Sequence, residues 1–113
     1  MVTKHSKEGY VLAAEGILRK TTVYGEKTLL CSFLLSRGAE IPVHHHPYEQ
    51  TGFMISGRMI FRIDGKETTV EPGDSWSIPS DAPHGAQVLE DSEVIEVFSP
   101  AREDYLPEDR KKL

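Results

Sequence analysis

Short runs of β-favouring residues alternate with turn signals along most of this chain, and this narrows the folds open to it. Such spacing is typical of an all-β sandwich or barrel. Asp64-Gly65 predicts a two-residue hairpin, because a type I′ turn needs positive φ at both central positions. Ser56-Gly57 and Pro72-Gly73 predict further turns. The predicted strands are Ile17–Tyr24, Lys27–Ser36, Thr51–Ser56, Met59–Ile63, Thr68–Val70, Ser75–Ile78, Gly85–Leu89 and Val94–Phe98.

Helical patterns are confined to the end of the chain. No earlier segment carries apolar residues at the spacing of an amphipathic helix. The charged tail from Arg102 to Leu113 contains Pro107 followed by acidic and then basic residues. Proline is favoured at the first helical position and this order of charges suits the helix dipole, so the tail fits a short helix. A frayed terminus is the alternative.

Length and composition predict one small domain over residues 1–113. The chain has 13 basic and 18 acidic side chains, a net charge of −5, which argues against binding to nucleic acid or anionic membranes.

The single cysteine, Cys31, lies in the apolar run Leu29–Leu35 and is expected in the core. The polar segment Met1–Tyr10 lacks the apolar stretch of a signal peptide, so we expect a cytoplasmic protein.

Histidines are the first candidates for chemistry. His44 and His46 share one face of an extended strand, whereas His45 points away. Two imidazoles on one face suit a divalent transition metal, with Zn, Ni, Mn, Fe and Co all open. His84 is the best candidate for a third nitrogen ligand. Glu49 or Gln50 could add a fourth ligand, and spacing alone does not choose between them.

Two motifs in this chain resemble those of the cupin family. Gly38 to Gly57 contains His44, one residue and His46, and Gln50 stands where the first cupin motif has its glutamate. Gly73 to His84 resembles the second motif, with Asp81 in place of a glycine and Val88 where an asparagine is common.

The resemblance implies a double-stranded β-helix, the jelly-roll barrel of cupins, with a short C-terminal tail and a barrel core over about residues 27–99. It also implies that His44, His46, Gln50 and His84 hold the metal. These ligands are all neutral, so the ion keeps most of its charge and favours an anionic ligand.

The strand Val94–Phe98 carries an acidic residue, Glu96. Periodicity leaves open whether Glu96 faces the barrel interior or solvent. The ending Glu96 to Tyr105 is similar to that of cupins from pectin and alginate degradation, which convert unsaturated monouronates to linear keto forms. That resemblance implies a pocket lined by Glu96, Phe98 and Arg102, although the acid there is typically aspartate. Glu96 would move a proton, Phe98 would form a wall and Arg102 would clamp the carboxylate. For Arg102, a surface ion pair with Glu103 or Asp104 is the alternative.

Three functions follow from this pattern. The first is a metal-dependent isomerase that ketonises 4,5-unsaturated monouronates. The others are a metal-dependent dioxygenase and a non-catalytic module that binds a small molecule. In each case we expect a small, carboxylate-bearing partner and no nucleic acid or membrane. We also expect a homodimer, because the run Leu29–Leu35 is too apolar to leave one face in water.

Overall fold

The computed structural model describes residues 1–106. It contains eight antiparallel strands, so the predicted all-β fold is confirmed. The strands are β1 (Val11–Ala14), β2 (Ile17–Tyr24), β3 (Leu29–Leu35), β4 (Glu40–His44), β5 (Glu49–Ile63), β6 (Lys66–Val70), β7 (Ser75–Ile78) and β8 (His84–Ser99). They pair in the order β1-β2-β3-β8-β5-β6, while β4 pairs with β8 and β7 with β5.

The long strands β5 and β8 lie at the centre of the sheet and pair with each other. β8 pairs with β4 near its start and with β3 near its end, and β5 runs beside it throughout. Residues 51–56 and 59–63, predicted as separate strands, therefore belong to one strand, as do residues 85–89 and 94–98. The turn predicted at Ser56-Gly57 is wrong: Gly57 has φ 95° and marks a bulge that bends β5 without breaking the ladder.

The structure adds two strands that the sequence pattern did not predict. β4 contains Pro42, and proline is depleted in strands. β1 is short, and all four of its residues are exposed. Both form through pairing with β8 and β2 respectively, which is tertiary information.

Turn chemistry follows the sequence elsewhere. Asp64 and Gly65 have φ values of 50° and 80°, as the predicted hairpin requires. Gly73 has φ 92°, and the Asp74 amide donates to the Glu71 carbonyl at 2.9 Å.

Apolar side chains fill the interior of the barrel. The most deeply buried are Leu29, Met54, Met59, Ile78, Val88, Val94 and Phe98. Cys31 is also fully buried, as predicted, and burial raises the pKa of its thiol to about 11.

A short 3₁₀ turn, Glu103–Tyr105, follows β8. The helix predicted from Pro107 lies outside the described residues. Within residues 1–106, no helix has the length and hydrophobicity needed to cross a membrane.

Candidate metal centre and adjoining pocket

Three histidines converge at one end of the barrel. His44 ends β4 and lies opposite His84, the first residue of β8, while His46 lies in the loop before β5. One nitrogen from each ring lies within 4.8 Å of the other two. His45 is excluded from the cluster: its ring is exposed, with Nδ1 3.6 Å from an Asp81 carboxylate oxygen.

Backbone carbonyls orient all three rings. Nδ1 of His44 lies 2.9 Å from the Pro42 oxygen, Nδ1 of His46 lies 3.0 Å from the Tyr48 oxygen, and Nδ1 of His84 lies 2.9 Å from the Ala82 oxygen. A carbonyl can only accept, so each Nδ1 carries the proton and each neutral ring keeps its lone pair on Nε2. Such contacts commonly fix the tautomer of metal-binding histidines.

Asp81 supports the loop that carries His46. It stands where the cupin motif has glycine, and its φ of 63° is in the left-handed region that aspartate tolerates better than most residues. In this conformation the Asp81 amide donates to the His46 carbonyl at 2.8 Å. The departure from the motif is therefore accommodated without loss of the turn.

Gln50, rather than Glu49, faces the histidines. Alternation along β5 buries Gln50 and exposes Glu49. Gln50 Oε1 lies 3.0 Å from His46 Nε2. Sequence spacing left the choice between Glu49 and Gln50 open, and the orientation of β5 selects Gln50.

The donor set fits a transition metal. Among the described residues, His84 Nε2 is a buried polar atom without a hydrogen-bond partner, an arrangement that is costly unless the atom binds something. His46 Nε2 and Gln50 Oε1 are both acceptors, yet they face each other. Burial lowers the pKa of His46 and of His84, which favours the neutral, ligating form of each ring. A divalent cation among these atoms would satisfy all of them.

Glu96 faces the interior. It pairs with Cys31 of β3 and Gly52 of β5, on the inner face of the sheet. Its Oε2 accepts hydrogen bonds from Gln50 Nε2 and from Trp76 Nε1, the latter at 3.1 Å. Burial raises the pKa of Glu96 to about 7, and the two hydrogen bonds oppose this rise.

Arg102 lies beside the same cavity among aromatic rings. Its guanidinium carbon is 5.0 Å from the ring centres of Tyr48 and Phe98, and 3.9 Å from that of Tyr105. It also binds Asp104 through two hydrogen bonds of 2.8 and 3.2 Å. The ion pair considered from the sequence is therefore present, but the Arg102 side chain is only 14% exposed and lines the pocket.

Residues 32–99 match the Cupin domain family. The chain belongs to the cupin family. The two sequence motifs predicted this family and its all-β fold, and both predictions are confirmed.

Two relatives of this cupin carry the name KdgF. The pectin degradation protein KdgF of Dickeya dadantii is 28% identical over 94 residues, spanning 81% of this chain and 86% of that protein. The structure of KdgF from Halomonas sp. superimposes with a TM-score of 0.89 at 30% identity, covering 94% of this chain and 98% of the other.

A third relative is named for a different activity. Acireductone dioxygenase of Bacillus thuringiensis is 37% identical over 59 residues, covering 48% of this chain. The match spans only 35% of that protein's length.

One cavity joins the candidate metal centre to Glu96 and Arg102. Its volume is about 170 Å³. Besides these polar groups, the lining includes the apolar side chains Ile17, Phe33, Leu35, Ile41, Met59 and Phe61. Phe98 also lines the cavity, with its ring centre 6.0 Å from that of His46. Such a cavity suits a small molecule with one polar, charged edge.

Sequence reasoning missed Trp76, Tyr48 and Tyr105. Trp76 had a usable signal, because the alternation Ser75-Trp76-Ser77-Ile78 places the indole on the inner face. Tyr48 and Tyr105 lie outside the strands, so strand periodicity could not have placed them beside Arg102.

Proposed function

We propose that this cupin is a metal-dependent enzyme that converts 4,5-unsaturated monouronates to their linear keto forms. The observation that carries the proposal is one small cavity that combines a four-membered nitrogen and oxygen donor set, a buried carboxyl and a guanidinium. Similarity to two KdgF proteins over most of the chain supports it.

In this proposal His44, His46, Gln50 and His84 hold the metal. A bound divalent ion would act there as a Lewis acid toward substrate oxygens. All four residues are neutral, so the donor set itself adds no negative charge that would repel a uronate. The acidic side chain in the cavity lining is Glu96.

Arg102 binds the substrate carboxylate. Its planar guanidinium matches the geometry of a carboxylate, and its bidentate contact with Asp104 is an internal example of that recognition. The rings of Tyr48, Phe98 and Tyr105 limit the positions that the guanidinium can adopt. Asp104 engages Nε and Nη2 of Arg102, so the Nη1 side of the guanidinium still has donors for a uronate carboxylate.

Glu96 moves the proton. Both of its hydrogen bonds fall on Oε2, which leaves Oε1 for exchange with a ligand in the cavity. Ring opening yields an enol, and Glu96 donates a proton to the former alkene carbon while the enol hydroxyl returns one to the carboxylate. The net change is an isomerisation, with no atom gained or lost. A pKa of about 7 suits both directions of this transfer.

The assay follows the ultraviolet absorbance of an unsaturated monouronate. We expect native protein to remove the absorbance faster than the spontaneous reaction, and chelator-treated protein to lose this advantage. Glu96→Ala should lose most of the rate at saturating substrate. An unchanged rate of absorbance loss in the presence of metal-loaded protein would refute the uronate assignment.

A dioxygenase is the second candidate, favoured by the match to acireductone dioxygenase over 59 residues. Protein loaded with iron(II) and offered small enediols or aromatic acids would then consume oxygen. Oxygen uptake without uronate turnover would favour this function. Saturable ligand binding with neither reaction would favour a non-catalytic binding module.

A further inference from the structure

Three residues form a row across the inner face of the barrel behind Gln50. Gly52 of β5 lies directly opposite Trp76 of β7 on one side and Glu96 of β8 on the other. The carboxylate and the indole meet in front of Gly52, where Trp76 Nε1 donates to Glu96 Oε2 at 3.1 Å. The side-chain amide of Gln50 donates a hydrogen bond to the same oxygen, Glu96 Oε2.

The side-chain amide of a glutamine can adopt two orientations. Rotation by half a turn exchanges a carbonyl oxygen for an amino group at nearly the same position, and only the oxygen can bind a cation. Glu96 Oε2 distinguishes the two orientations, because a carboxylate oxygen attracts the amino group. The carbonyl oxygen of Gln50 is thereby turned toward His46 Nε2, at 3.0 Å.

Trp76 in turn restrains Glu96. The indole N–H can only donate, so it requires an acceptor and holds Oε2 in place. The indole packs against Phe61 with ring centres 4.8 Å apart, which fixes the direction of its N–H. A Cβ at Gly52 would lie 2.3 Å from indole atoms. The indole can therefore occupy this position only because residue 52 is glycine.

We propose that Trp76 and Glu96 are positioning residues that hold the Gln50 amide with its oxygen toward the metal. The inference rests on the metal site of the proposed function, but not on the uronate substrate. Glu96 then has two duties, with Oε2 orienting Gln50 and Oε1 available to the cavity. Trp76 does not line the cavity and acts through Glu96.

Zinc affinity provides the test, measured by competition with a chromophoric chelator. We expect Glu96→Leu to weaken zinc binding by roughly ten- to a hundredfold, as is common when partners of metal ligands are lost. Trp76→Phe keeps an aromatic ring and changes no charge, and it should weaken binding by a smaller factor. Gly52→Ala should resemble Trp76→Phe, because it displaces the indole.

A double-mutant cycle with Gln50→Ala separates positioning from a general structural or charge effect. If Glu96 and Trp76 act through the amide, their substitution should cost little further affinity once Gln50 is absent. The same fold loss in both backgrounds would overturn the inference, as would unchanged zinc affinity in both single variants.

Nuclear magnetic resonance of metal-free protein gives a second readout. The side-chain amide protons of Gln50 should be shifted by the Glu96 hydrogen bond in wild type, and Trp76→Phe should move them as well as the signals of its packing neighbour Phe61. Unmoved signals would count against the inference. Absence of zinc binding by wild type would instead overturn the metal site itself, and the positioning role with it.

Discussion

His44 and His84 lie directly opposite each other in the ladder between β4 and β8, with ring centres 4.3 Å apart. Strand register thus brings together two residues that are distant in sequence. Because successive side chains on a strand point to opposite faces, a one-residue slip would remove either ring from the cluster. The candidate metal centre is therefore a direct consequence of barrel pairing.

Removal of one ring should abolish tight metal binding. We expect His84→Ala to lose at least about a hundredfold in affinity for zinc or nickel, since even loss of an outer partner costs roughly ten- to a hundredfold. At about a hundred times its dissociation constant, the metal should raise the melting temperature of wild type by roughly 10 °C. His45→Ala is the matched control, because this ring is exposed and lies outside the cluster.

Scanning calorimetry with and without metal checks the prediction. His45→Ala should retain the metal-dependent shift in melting temperature, and His84→Ala should not. Equal shifts in the two variants would place the metal elsewhere.

Arg102 should determine affinity for carboxylate ligands. Charge-assisted hydrogen bonds contribute about 1.5–3 kcal/mol each, so Arg102→Ala should lower kcat/KM on an unsaturated uronate by at least roughly tenfold, mainly through KM. Asp104→Asn should do the opposite and lower KM, because it removes a negative charge that partly neutralises Arg102 and repels a bound carboxylate.

Steady-state kinetics on purified variants measure both effects. Arg58→Ala serves as the control, because Arg58 forms a similar ion pair with Glu90 on the exposed surface. A loss in Arg58→Ala as large as that in Arg102→Ala would contradict a specific role for Arg102.

The Cys31 thiol should be unreactive in the folded protein. Its pKa of about 11, against an ordinary value of 9.0, lowers the thiolate fraction at pH 8 by roughly a hundredfold. Burial raises this pKa by disfavouring the charged form, so reactivity should increase only as the pH approaches 11. Alkylation followed by mass spectrometry should label unfolded protein quickly and folded protein slowly, and rapid labelling at pH 8 without unfolding would contradict the packing of β3.

The outer sheet face should pair two chains. Leu18, Phe53 and Ile55 are 37, 41 and 44% exposed on the outer faces of β2 and β5, and burial of this apolar surface against a second copy would favour a dimer. We expect sedimentation to give twice the mass of one chain, and Phe53→Glu to shift the mass toward that of a monomer. Val43→Glu, at an exposed apolar residue on β4, should leave the mass unchanged. A monomeric wild type would rule out the expected homodimer.

The sequence predicted the fold where local chemistry and periodicity agree. The Asp64-Gly65 hairpin and the strands over residues 17–24 and 75–78 have the expected bounds. The bulge at Gly57 was mistaken for a turn, because a positive φ is required in both cases and only pairing with β8 distinguishes them.

The candidate site was predictable in its residue types but not in its geometry. Spacing brought His44 and His46 together, whereas the choice of Gln50 over Glu49 came from family resemblance and agrees with the facing of β5. Alternation could not decide whether Glu96 points inward, because both faces of the strand Val94–Phe98 carry apolar residues. Its hydrogen bond with Trp76 depends on two strands meeting at Gly52, a relation that no local pattern contains.

The most direct test titrates metal-free protein with a divalent metal and measures the rate at which an unsaturated monouronate loses its double bond. We expect the rate above the spontaneous reaction to rise in proportion to added metal and to level off at one ion per chain. A rate that stays at the spontaneous value after one equivalent of tightly bound metal would contradict the proposed enzyme.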